Sequence, residues 1–101
     1  MESHIQKFKN DRYKKNRGGY SRLLDISCEI CKTHVCFYQK DGSGILKRMY
    51  LDRIFNFKNK SKNLQCIKCK NILGTYFIYQ KEKRPAFRLY VAAVNKKITK
   101  L

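Results

Sequence analysis

The sequence predicts a mostly β domain, with antiparallel strands, a short helical turn and a basic N-terminal arm. Three observations point there. Runs of β-branched and aromatic residues recur between turn-forming stretches. Each of two Cys-x-x-Cys pairs, Cys28-Glu29-Ile30-Cys31 and Cys66-Ile67-Lys68-Cys69, is followed by a polar residue and then by one of those runs. With 101 residues, 43% of them hydrophobic, the chain can bury one modest core and no second.

Residues 1–24 hold seven Lys/Arg, two acids, Gly18-Gly19 and no sustained period, and they read as a basic arm. The domain proper is expected over residues 25–95, with a short basic tail over 96–101. Val35-Cys36-Phe37-Tyr38-Gln39 has strand composition, and Asp41-Gly42-Ser43-Gly44 after it is a turn signal. From Ile45 to Phe57 the apolar residues fit neither strict alternation nor one helical stripe. That segment is expected to be a strand ending in a short helical turn. After the polar stretch 56–63, residues 72–80 are apolar and aromatic, while Phe87, Leu89, Val91 and Ala93 alternate with their neighbours. Two antiparallel strands are expected here. The charged link Lys81-Glu82-Lys83-Arg84-Pro85 holds the only proline, so the loop between the strands is placed there.

Twenty-four Lys+Arg against seven Asp+Glu give a formal charge of +17. That is well above the magnitude of about 2–8 that serves solubility in a small domain, and it implies a polyanionic partner. The excess gathers in the arm, around the second cysteine pair and in the C-terminal 21 residues. The sequence has no apolar run near the roughly 18 residues of a membrane-spanning helix, and the N-terminus lacks the apolar stretch of a secretory signal. The expectation is a cytoplasmic protein without a membrane partner. In a reducing compartment an odd count of five cysteines, four of them in pairs, suits metal binding better than a disulfide framework.

The cysteines at 28, 31, 66 and 69 are candidate ligands of one structural zinc ion. Zinc favours four soft donors in a tetrahedron, and each Cys-x-x-Cys turn converges two sulfurs on one ion. His34 and Cys36 lie just beyond the first pair as alternative ligands, though four cysteines already saturate the site. A redox role would need one exposed pair at a helix N-terminus, a context this chain lacks. Four thiolates leave no open position for an activated water, so no catalytic residue and no enzymatic function are expected.

On these residues the chain resembles the zinc-ribbon class, in which two knuckles at hairpin tips share one zinc. The likeness covers roughly residues 25–95 and implies fold and metal. The 34-residue spacer between the pairs is longer than the 15–20 residues of the commonest arrangement. The block from Gly42 through Leu46-Lys47-Arg48 to Tyr50-Leu51-Asp52-Arg53 is similar to one in a small uncharacterised prokaryotic zinc-ribbon family, and implies no activity.

The basic surface points to nucleic acid. In the arm, Lys7, Lys9, Arg12, Lys14, Lys15, Arg17 and Arg22 are interleaved with Phe8, Tyr13 and Tyr20. The glycine turn delivers Lys47, Arg48, Tyr50 and Arg53, a mixture that can hold phosphate and stack on a splayed base. Lys58, Lys60, Lys62, Lys68 and Lys70 surround the second knuckle without one acid among them. The expected function is a structural zinc-containing, RNA-binding protein, ribosomal or ribosome-associated, with rRNA and neighbouring ribosomal proteins as partners. A DNA-binding or transcription-associated ribbon is the alternative, and a protein-interaction adaptor using Tyr76 to Tyr79 is a third class.

Overall fold

The computed structural model describes residues 11–16, 20–42, 44–57 and 61–99. The chain runs α1 (Arg12–Asn16), β1 (Ser21–Cys28), β2 (His34–Asp41), β3 (Arg48–Tyr50), a 3-10 turn (Leu51–Arg53), β4 (Ile54–Phe55), β5 (Leu64–Gln65), β6 (Ile72–Tyr79), β7 (Arg84–Leu89) and β8 (Val94–Thr99). The strands form two antiparallel sheets, ordered β4-β2-β1-β8 and β3-β7-β6-β5. The mostly β, antiparallel architecture expected from the sequence is the one observed.

Alternation builds the core. Leu24, Ile26 and Cys28 of β1 point inward, and across the ladder Leu24 pairs with Tyr38 and Ile26 with Cys36. These five residues pack with Met49, Leu64, Cys66, Leu73 and Phe87 of the second sheet in one buried cluster. Asp41-Gly42 and Gly44 carry the chain from the first sheet to the second, and the glycines take φ of 75° and 106°, values that penalise other residues. The 3-10 turn then returns the chain from β3 to β4 in the first sheet.

In four places the structure departs from the sequence expectation. Residues 21–24, read as the end of the arm, are the first half of β1, with Leu23 and Leu24 buried. Residues 96–99, read as tail, belong to β8, which pairs with β1 along the sheet edge. β8 exposes Asn95, Lys96, Lys97 and Ile98, so no hydrophobic alternation marks it. Pro85, placed in a loop, lies in β7 opposite Ile78. It is tolerated because β3 pairs only with Ala86, Phe87 and Arg88, leaving no partner that needs an N–H from residue 85 on that side. The strand expected to continue through residue 94 stops at Leu89. Ala92 then takes φ 58° in the turn that reverses the chain into β8.

Candidate metal centre and cationic surface

The two Cys-x-x-Cys segments fold alike. The first closes the β1–β2 hairpin and the second the β5–β6 hairpin. A register shift directly precedes each, between Ile26 and Ser27 and between Leu64 and Gln65, and such a bulge re-aims the side chain that follows. The Lys32 amide donates to the Cys28 carbonyl at 2.8 Å, and the Lys70 amide to the Cys66 carbonyl at 3.0 Å. The Cys28 and Cys66 amides donate to the carbonyls of Thr33 and Asn71, both at 2.9 Å. Lys32 and Lys70 adopt φ of 63° and 68°, a left-handed conformation that closes the turn and that favours glycine.

The four sulfurs lie within 4.8 Å of one another. The nearest approaches cross between the hairpins, Cys31 to Cys66 at 3.4 Å and Cys28 to Cys69 at 3.7 Å. Zinc–sulfur bonds of about 2.3 Å in a tetrahedron place sulfurs roughly 3.8 Å apart, whereas a disulfide needs about 2.05 Å. The cluster therefore has the dimensions of a four-thiolate metal site, with Cys28 and Cys66 buried and Cys31 and Cys69 half-buried. The donors fit one metal ion, and four soft sulfurs suit zinc.

Polar side chains flank two of the four sulfurs. Thr33 Oγ1 lies 3.2 Å from the Cys31 sulfur, and Asn71 Nδ2 donates to Cys69 at 3.4 Å, so each knuckle sets a polar side chain two residues beyond its second cysteine. The Thr33 hydroxyl, followed by its amide, brings the Cys31 thiol down to about 6. At Cys69 the Asn71 backbone N–H pulls the thiol down, but burial and the three neighbouring sulfurs together push it up to about 11. Four thiolates crowded without a cation repel one another, and a divalent ion removes that conflict. Bound there, zinc would supply a structural cross-link; no position is left over for substrate.

His34 and Cys36 stay outside the cluster. His34 Nδ1 lies 2.7 Å from Asp25 Oδ1 and its ring packs on Phe37. Cys36 is fully buried in the core, where burial pushes its thiol far up.

The acids are distributed one-sidedly. All six described carboxylates contact a basic side chain: Asp11 and Asp41 hold Arg53, Asp52 and Glu82 hold Arg84, Asp25 meets His34 and Glu29 meets Lys32. Arg53 and Arg84 are only 1% and 3% exposed, so four of these acids compensate interior charge. Arg84 is also sandwiched between the rings of Tyr50 and Tyr13, at 3.7 and 3.9 Å from their centroids. Together with the 2.6 Å contact from Arg53 to Asp11, that stack holds α1 against the body.

This placement sorts the residues proposed to meet nucleic acid. Arg12, Lys15, Arg22, Lys47, Lys62, Lys68 and Lys70 are exposed, and Lys14 is half-buried. Arg48 is half-buried, lies 4.0 Å over the Tyr79 ring and donates from Nε to Tyr50 Oη. Arg53 and Tyr50 are buried in the network just described. Lys7, Lys9, Arg17, Lys58 and Lys60 lie outside the described residues. Lys32, four residues after Cys28 as Lys70 is after Cys66, is held by Glu29 at 2.9 Å. Of the stretch weighed as an adaptor surface, Tyr76 packs on the core, Phe77 and Tyr79 are half-buried, and Ile78 is exposed.

No helix among the described residues is long and apolar enough to cross a membrane. No family model, curated protein or solved structure matches the chain.

Proposed function

We propose that this chain is a structural zinc protein of zinc-ribbon type that binds RNA, as a component or close associate of the ribosome. The observation that carries the reading is the engagement of every described carboxylate, most of them around two buried arginines. The exposed lysines and arginines are thereby left to act on a polyanion, and the summed field favours phosphate. Aromatic rings set among these cations favour RNA with accessible bases over a uniform duplex. The zinc serves the fold, and the protein works by binding rather than by catalysis.

The test is sedimentation of a tagged copy from lysate through sucrose at low and high salt, with RNase and DNase controls. Co-migration with one ribosomal subunit, abolished by RNase, is expected. Migration that follows DNA and resists RNase would support the DNA-binding alternative, and migration at monomer size would remove the ribosomal reading.

A further inference from the structure

Beside the outer face of the second sheet runs an open groove of about 560 Å3, bounded by the segment before β3, by β6 and β7, and by the turn into β8. Its volume lies within the roughly 300–1,000 Å3 of small-ligand sites. Four cations line it, Lys47, Arg48, Arg88 and Lys96, and no acidic residue does. Arg48 and Arg88 stand directly opposite each other across the β3–β7 ladder, an arrangement that destabilises a sheet unless an anion joins it. Their guanidinium planes already rest on rings, Arg48 over Tyr79 at 4.0 Å and Arg88 over Phe77 at 4.7 Å. Tyr90 is 49% exposed, and its hydroxyl lies 2.8 Å from Thr75 Oγ1, the residue paired with Arg88 on β6, so the ring is tethered at the groove's side.

We propose that this groove seats a single-stranded segment of RNA, with phosphates against Arg48, Arg88 and the flanking lysines and a base stacked on Tyr90. The inference rests on the RNA-binding reading and gives it a location. Charge complementarity selects a polyanion, and ring faces beside cations select unpaired bases, because a duplex keeps its bases stacked on one another.

The experiment is fluorescence anisotropy of the zinc-loaded full chain with a labelled 12-nucleotide single-stranded RNA and with the matching duplex, over a range of salt. Tyr90→Ala is expected to weaken single-strand binding about 5- to 100-fold, the range of a lost base–aromatic stack, while Tyr90→Phe retains it. Arg88→Ala should lower the salt slope by roughly 0.7, as for one phosphate contact on a single strand. Val91 lines the groove and is 99% exposed, so Val91→Glu adds a carboxylate without touching the core and should weaken binding several-fold. The comparison variant replaces Lys62, Lys68 and Lys70 with alanine. A parent chain that binds, with affinity preserved in all groove variants and lost in the lysine triple, would overturn the groove and leave the RNA reading standing. Equal competition by duplex would also overturn it. A parent that binds no single-stranded RNA would overturn both.

Discussion

Arg53 illustrates what a residue's neighbours do to its meaning. In the sequence it follows a glycine turn beside Lys47 and Arg48 and looks like a third cation on a contact surface. In the fold its Nε donates to Asp41 at 2.9 Å, its Nη2 to Asp11 at 2.6 Å, and the side chain is closed off from water. A buried guanidinium needs such partners, since removing one leaves an uncompensated charge. Asp11 also accepts from the amides of Tyr13 and Lys14, which caps α1. Burial pushes the Asp11 carboxyl up, but the hydrogen bond from Arg53 and those two amides outweigh it and hold it below the ordinary 3.8. A depressed carboxyl stabilises the docked form above the unfolded value and loses that contribution as pH falls through the folded one. Protection of the Tyr13 and Lys14 amides, taken relative to their intrinsic exchange rates at each pH, should therefore hold at pH 5 and fall only as pH drops below about 3.8. Asp11→Asn should already show reduced protection of these amides at pH 5.

The same contrast between pattern and context recurs at the element scale. β2, the turn at Asp41 and the β6–β7 hairpin were legible because each carries a local signal: aromatic and β-branched runs, paired glycines, or apolar alternation. β1 and β8 were not. Leu23 and Leu24 are too few to make a period, and β8 is held by its ladder to β1 rather than by burial of its own side chains. The second sheet shows how close such pairing comes. A methyl group on Gly74 would sit 2.7 Å from the Arg88 carbonyl oxygen, backbone of the neighbouring strand that cannot swing aside. Gly74→Ala should destabilise the domain by about 1–3 kcal/mol, the usual cost of overpacking, readable as a lower denaturation midpoint at unchanged slope.

Across the whole molecule, the clustering of the four cysteines was legible in the sequence and the cationic surface only in part. Cysteine spacing is a local property, and four ligands of one ion can be counted along the chain. Which cations face water depends instead on where the acids go, and Asp11, Asp41, Asp52 and Glu82 converge on Arg53 and Arg84 from separate elements. The cluster joins the two sheets, since each contributes one hairpin. Apparent zinc binding in small Cys-rich domains is of the order of 10–16 kcal/mol, comparable to or above the roughly 5–15 kcal/mol that separates folded from unfolded chains. Cys66→Ser should accordingly release the metal and unfold the domain together, seen as zinc loss by a chromophoric chelator and collapse of the circular dichroism signal. A folded, metal-free variant would contradict that. The near-identity of the two hairpin turns carries one more consequence. Each turn carries two of the four sulfurs on the same backbone frame, so neither hairpin completes the cluster alone, and four donors face one point only once the two sheets have met.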